Sequence, residues 1–545
     1  MHGAIDKDVV VIGAGITGIH ALHQLVANHF DVQVLEAGAG VGGTWYWNRY
    51  PRARFDSESY SYGYFFSEEI KREWDWSEMY AGQPEIEQYL NFVVDRFGLR
   101  DRIRFGARVD GVTFDEAAGT WTVRTADGFE VRSRFVVAAT GILSIPYRPP
   151  IEGAESFGGE QYHTGQWPAQ EVSFEGKRVA VIGSGSSGVQ LIPAVAESAS
   201  HLVVLQRTPN WCAPLNNQTF TAAEQEAMRA TIDDLDRLCR TTFTGMPHVS
   251  LGRSAFDDDK EQRWATYERL WEQGHGHRLW FGNYDDASTS RAANDDFCEF
   301  LSAKIRSLVD DPDVARRLTP NDHGFGAKRP PLVNGYYETF NLEHVELVDL
   351  REDPIVRILP NGIETQHATY ELDMIVWATG FDAVTGALTR LGVTGVGGRR
   401  LADAWADGPF TFLGLQTPGF PNLFIVGGPH ATQGNIPRST EIHVDVVVEL
   451  LEYMRTNGLD RIEADERAAA EWTAHVYDAV ADDPDSVHVA GTNWSYGSNI
   501  PGKPERLLMY RHGLPTYRSK VAASRDAGYR GWNFSTHAEP EDGGR

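Results

Sequence analysis

Two glycine clusters carry the first chemistry legible in this chain. Asp8-Val9-Val10-Val11-Ile12 leads into Gly13-Ala14-Gly15-Ile16-Thr17-Gly18, and Arg178-Val179-Ala180-Val181-Ile182 leads into Gly183-Ser184-Gly185-Ser186-Ser187-Gly188. Strand, tight turn and helix in that order bind a dinucleotide. The first glycine permits the turn, the second lets backbone approach a pyrophosphate, and the third lets helix and strand pack closely, with the helix N-terminus facing the phosphate charge. The strands that follow end differently. Glu36 stands 23 positions after Gly13, placed to accept hydrogen bonds from a ribose diol, whereas the residue at that distance from Gly183 is Gln206, followed by Arg207 and Thr208. An acid would repel a ribose 2′-phosphate and Arg207 can pair with one in bidentate fashion, so the second site is expected to prefer NADP over NAD.

Other stretches are too aromatic or too basic for ordinary linkers. Thr44-Trp45-Tyr46-Trp47 runs on through Tyr50-Pro51-Arg52-Ala53-Arg54-Phe55 to Asp56. Phe157, Gly159, His163, Trp167 and Pro168 are spaced as F-x-G-x-x-x-H-x-x-x-W-P between the two glycine clusters. Lys328-Arg329-Pro330-Pro331 precedes Tyr336-Tyr337-Glu338-Thr339-Phe340-Asn341, and Trp494-Ser495-Tyr496-Gly497-Ser498-Asn499-Ile500-Pro501-Gly502-Lys503 lies near the end. On residue types alone, Lys328-Arg329 reads as a dibasic turn, Trp494 as a packing anchor and His163 as a packed histidine.

Together, in this order from Asp8 to Lys503, these blocks resemble the Baeyer-Villiger monooxygenases, flavoenzymes that use NADPH and O2 to insert an oxygen atom beside a ketone carbonyl. The resemblance implies FAD at the first fingerprint and NADP at the second, with a flavin peroxide attacking the ketone to give an ester or lactone. It implies that Thr44, Trp45, Tyr62 and Val109 lie against FAD and that Asp56 reaches the nicotinamide side of the flavin. Arg329 is then the catalytic cation, balanced by Asp56, because a guanidinium stabilises an anion without supplying a readily transferred proton. Lys328 becomes a further phosphate contact, and Trp494 closes over the NADP ribose. Residues 157–168 form the hinge. The chain departs from the family pattern at Arg52, where glycine is common, which bears on the local loop shape.

The elements that must position these residues are those of an α/β protein with two Rossmann-like dinucleotide-binding domains and a helical insertion. Asp127-Gly128 signals a hairpin within an alternating stretch that ends in Phe135-Val136-Val137-Ala138-Ala139-Thr140-Gly141, and Ile375-Val376-Trp377-Ala378-Thr379-Gly380 is the second such crossing strand. The expected division is a first FAD part over 1–145, a first NADP part over 146–213, and a polar helical insertion over 214–325. A second NADP part follows over 326–377, a second FAD part over 378–535, and a disordered tail over 536–545. A helix from Ser439 to about Asn457, capped by Gly458, is expected to follow Thr432 to Pro437, which should border the substrate.

Composition sets bounds on function. Fifty basic against 76 acidic residues give a net charge of −26, which argues against nucleic acid or an anionic membrane as partner. Cys212, Cys239 and Cys298 form no C-x-x-C pair, which disfavours a thiol–disulfide reductase. No window carries the apolar length of a membrane helix or a signal peptide, so the expectation is a cytoplasmic enzyme with a small-molecule ketone and O2 as partners and no obligate protein partner. A flavin N- or S-hydroxylating monooxygenase, which shares both fingerprints, is the alternative, and a noncatalytic module holding FAD and NADP is a further one.

Overall fold

The computed structural model describes residues 6–479 and 493–536. The expected disordered tail, apart from Thr536, lies outside the described residues. The two apolar runs become central strands because each is buried on both faces: Val9, Val10 and Val11 are 0% exposed, as are Val179, Ala180 and Val181.

In the first sheet Lys7–Ile12 lies parallel to Val32–Leu35 on one side and to Glu130–Ala138 on the other. Ile103–Arg104 extends the sheet beyond Val32–Leu35, and Leu423–Ile425 joins it beside Glu130–Ala138. Glu130–Ala138 also closes an antiparallel meander with Thr120–Thr125 and Val109–Asp115, whose expected hairpin turns at Gly128 with φ +85°. The second sheet is wholly parallel, in the order Val345–Asp349, His201–Gln206, Arg178–Ile182, Met374–Trp377, Glu160–His163.

Both fingerprints are locked by the same device. Gly13 has φ +105°, and a Cβ there would lie 2.6 Å from the Ala139 carbonyl oxygen. Gly183 has φ +107°, and a Cβ there would lie 2.5 Å from the Ala378 carbonyl oxygen. The two Ala-Thr-Gly strand ends thus abut the turns from which the nucleotide helices Ile16–Ala27 and Ser186–Ala196 start.

Between the sheets' segments, Ala222–Thr241, Lys260–Gln273, Arg291–Leu308 and Pro312–Leu318 are helical, the first two opened by the capping boxes Thr221/Glu224 and Asp259/Gln262. The helix expected from Ser439 spans Ile436–Asn457, one turn earlier, because Pro437 is accommodated in the first turn where no backbone N–H is needed. Gly458 caps it with φ +66° as expected. Two small antiparallel units did not announce themselves: Ile355–Leu359 with Gly362–Thr365 and Thr369–Glu371, and Arg461–Ala464 with Trp532–Ser535. No helix among the described residues is long and apolar enough to cross a membrane.

The stretch expected as a hinge is built into the second sheet: Glu160–His163 is its edge strand, in register with Met374–Trp377. Phe157 is buried in one hydrophobic cluster with Ala180, Ile182 and Trp377, and the Trp167 amide donates to the Trp47 carbonyl at 3.1 Å, joining the stretch to the first nucleotide region. His163 is 1% exposed. The Gly165 amide donates to its Nδ1 at 2.9 Å, so the proton sits on Nε2, which faces the Tyr147 carbonyl at 3.3 Å. Burial holds His163 down at about 4. The unfolded chain therefore binds a proton that the folded chain refuses between pH 6.5 and about 4, so stability falls as pH drops through that window, by about 3 kcal/mol from this residue. In urea titrations across it, His163→Asn, which keeps an acceptor for Gly165 but gains no proton, should start less stable and show a shallower acid loss. An unchanged pH slope would contradict this.

Candidate functional site

The first fingerprint forms a cradle of bare backbone. Gly15, the N-cap of helix Ile16–Ala27, faces Gly43, which has φ +54° and whose Cβ would lie 2.8 Å from the Gly15 Cα. Gly18 packs on the Gly13 carbonyl with no room for a side chain. Glu36 is 4% exposed and accepts from the Ala14 amide at 2.7 Å and the Gly38 amide at 2.6 Å. Burial raises its carboxyl above the usual range, against the pull of those amides. Thr44 opens the short helix Thr44–Trp47, and the Trp45 indole donates to the Tyr62 hydroxyl at 3.0 Å, edge-on to Phe55 and Tyr62. Burial pushes Tyr62 up to about 12. Val109, at the start of its strand, is buried in a hydrophobic cluster with Val10, Ile12 and Leu35, apart from the cluster that holds Trp45. The glycine-lined approach, the held carboxylate and the aromatic wall fit a dinucleotide carrying a flat ring.

The second fingerprint differs where its sequence does. Gly185 and Ser186 are exposed, Ser187 is half-buried, and a Cβ on Gly185 would meet open space. Gly188 packs on the Gly183 carbonyl, and the buried Ser184 hydroxyl donates to the Thr208 carbonyl at 3.4 Å. Gln206 turns inward and donates to the Arg317 carbonyl at 2.9 Å, so no acid occupies the place held by Glu36 in the first site. Arg207 is exposed beside it. Burial holds the Lys328 ammonium below its ordinary range, and Arg207 and Arg351 push the same way against Asp322. Cations gathered close enough to repel one another fit a phosphate. Arg351, fixed by a fork onto Asp349, had no signal in the sequence.

Asp56 and Arg329 meet between these regions. Arg329 Nε donates to Asp56 Oδ2 at 3.0 Å and Nη2 donates to Oδ1, a two-point fork with side-chain exposures of 33% for Arg329 and 18% for Asp56. Burial alone would raise the Asp56 carboxyl, but Arg329 and His277 hold it far below the usual carboxylate range. The Arg329 backbone is tethered by Asn210, whose side chain donates to its carbonyl at 3.0 Å, and Asn493 donates to the Ala327 carbonyl at 3.1 Å. Trp494, next to Asn493, packs on Ala383, Val384 and Leu508, and Lys503 reaches Asp382 at 2.6 Å. Arg52 has φ +65°, the region glycine enters freely and a side chain enters at a cost of about 1 to 2 kcal/mol; its side chain pairs with Glu197.

Sequence reasoning missed His277, 2% exposed and in contact with both Asp56 and Arg329, and missed the adjacent Glu58 and His248, which lie 2.9 Å apart. His277 belongs to the polar insertion whose periodicity reads as a solvated face. Thr432, Gln433 and Asn435 are buried, and Asn435 binds the Thr244 and Ser61 carbonyls.

A family model described as pyridine nucleotide-disulphide oxidoreductase matches residues 10–233. The chain is 40% identical to the 2-oxo-Δ3-4,5,5-trimethylcyclopentenylacetyl-CoA monooxygenase of Pseudomonas putida, covering 97% of this chain and 98% of that protein. It is 39% identical to the phenazine N-monooxygenase PhzNO1 of Lysobacter antibioticus, covering 98% and 97%. It is also 36% identical to a Baeyer-Villiger monooxygenase of Pseudooceanicola batsensis, covering 96% and 95%. Among solved structures, OTEMO in complex with FAD and NADP superposes with a TM-score of 0.94 at 40% identity, covering 98% of this chain and 100% of that one.

The cation cluster generates a prediction. Replacing Arg207 by Ala should weaken binding of the 2′-phosphorylated dinucleotide by about 1.5 to 3 kcal/mol and leave its unphosphorylated counterpart nearly unaffected. Calorimetric titration with both nucleotides checks it, and equal losses would refute the assignment.

Proposed function

The chain belongs to the Baeyer-Villiger flavoprotein monooxygenases, and from that premise we propose the residue roles of an FAD-dependent, NADPH-consuming enzyme that converts ketones to esters or lactones. The observation that carries the reading is the forked Asp56–Arg329 ion pair between a glycine cradle suited to FAD and a cationic one suited to NADP. We assign FAD to 1–145 and 378–535, from which the first sheet draws its strands, and NADP to 146–213 and 326–377, from which the second draws its own. Gly13, Gly15, Gly18, Glu36, Thr44, Trp45 and Tyr62 would hold FAD, with Val109 at the margin. Gly183 to Gly188, Arg207, Thr208, Lys328 and Trp494 would hold NADP. Taken with the acidic net charge, this leaves a ketone and O2 as partners, in a cytoplasmic setting consistent with cysteines that stay free.

When bound, the reduced flavin supplies one oxygen atom from O2 to the ketone carbonyl. The protein must stabilise the negative charge that grows at that oxygen without handing it a proton. Arg329 suits this because a guanidinium keeps its charge and presents planar N–H donors, and Nη1 makes no hydrogen bond among the described residues. While Arg329 is docked, Asp56 holds the guanidinium through the other two nitrogens and balances its charge, and Arg329 turns from Asp56 toward the growing charge as the nicotinamide arrives.

Arg329→Ala should leave FAD bound and reducible by NADPH while ester formation falls by about 100- to 1000-fold or more. Arg329→Lys should rescue poorly, since an ammonium cannot reproduce the fork. Anaerobic reduction followed by mixing with oxygen and ketone, with flavin spectrum and product followed together, separates the two steps. Ester formed by the Ala variant at close to the wild-type rate would remove Arg329 from its role. Oxygenation of amines or sulfides by the wild type, with no ester from any ketone, would favour the hydroxylating alternative.

A further inference from the structure

One ring nitrogen in this site faces a donor and an acceptor at once. His277 Nε2 lies 3.2 Å from Arg329 Nη2 and 3.4 Å from Asp56 Oδ2. A guanidinium can only donate and an ionised carboxylate can only accept, so Nε2 can satisfy one of them at a time, and the position of a single proton decides which. With Arg329 docked, Nε2 is bare and receives Nη2–H. The ring is held in place: His277 is 2% exposed, its ring meets Trp280 and Phe281 edge-on, and the preceding Gly276, at φ +55°, abuts Tyr80 where no side chain would fit.

We propose that His277 is a positioning residue for Arg329, sharing the guanidinium with Asp56 while Arg329 is docked and taking over as proton donor to Asp56 when Arg329 turns toward the substrate. This rests on the reading of Arg329 given above. A carboxylate withdrawn from water cannot be left unpartnered, so Arg329 is free to leave only if another donor replaces it. His277 does so by taking one proton from solvent, leaving Nε2–H on Asp56 and the summed charge of the pair unchanged, and it releases that proton when Arg329 returns. The charged and titratable groups facing His277 support the sequence. Burial holds the imidazole below its ordinary range, Asp56 opposes this, and Arg329 and His248 add to it, so departure of Arg329 favours protonation. Behind His248 stands Glu58, which also accepts from the Tyr80 hydroxyl at 3.2 Å.

The test begins with nitrogen-labelled histidine in the FAD-loaded enzyme, the His277 signal being the one absent from His277→Phe. In Arg329→Ala that signal should take up its proton about one pH unit or more higher than in the wild type, a tenfold change in proton affinity; no change overturns the proposal. In turnover, His277→Phe should lose about 10- to 100-fold in ester formation, keep flavin reduction by NADPH, and lose the alkaline limb of the pH profile. His277→Gln, which can still accept and donate, should recover most of the rate without that limb. Loss of both half-reactions in parallel, or a wild-type rate and pH profile in either variant, contradicts it. If His277→Phe does not fold, the Gln variant supplies both the missing signal and the pH profile. Absence of ester from the wild type itself would instead remove the reading of Arg329, and this role with it.

Discussion

A carboxylate and a guanidinium removed from most of their water hold this molecule to its arrangement. Separately, each would be expensive to bury, and removing one partner leaves the other uncompensated, which typically costs about 3 to 5 kcal/mol. Asp56 stands on the aromatic loop after the first fingerprint and Arg329 on the loop that follows the helical insertion. They meet only if both nucleotide regions and the insertion are placed correctly relative to one another. The ion pair is therefore a constraint on assembly as well as the centre of the proposed chemistry.

The scaffold meets that constraint by using one solution twice. In each sheet a central strand ends in a glycine turn packed against the carbonyl of the alanine in an Ala-Thr-Gly strand end, fixing where the nucleotide helix begins. The two sites then diverge through a few side chains. Glu36 is pinned by backbone amides in one, while in the other Gln206 turns inward and leaves the rim to Arg207, Lys328 and Arg351. Contacts between the regions, such as Trp167 to Trp47 and Tyr50 to Gln190, join them across the boundary.

What was legible in the sequence follows from how local each signal is. The fingerprint strands, their glycines and the Asp127-Gly128 hairpin are set by neighbours a few residues away, and they stand where the pattern puts them. The arginine at position 52 adopts a left-handed backbone that a glycine would enter without steric cost. The stretch from Phe157 to Pro168 was legible as motif but not as an edge strand, because its partner Met374–Trp377 is remote in the chain. His277, His248 and Glu58 were silent for the same reason. Their meaning lies in apposition across three loops, and a histidine in a polar helical stretch carries no mark of what it will face.

The account's central claim, that Asp56 and Arg329 act as one unit in oxygen transfer, is tested most directly by a double-mutant cycle on the rate of ester formation in single turnover. If the pair is the unit, Asp56→Ala and Arg329→Ala each impair the rate, and the double variant loses no more than Arg329→Ala alone. Losses that simply add, with the double variant slower by the product of the two single effects, would show two independent residues and contradict the claim.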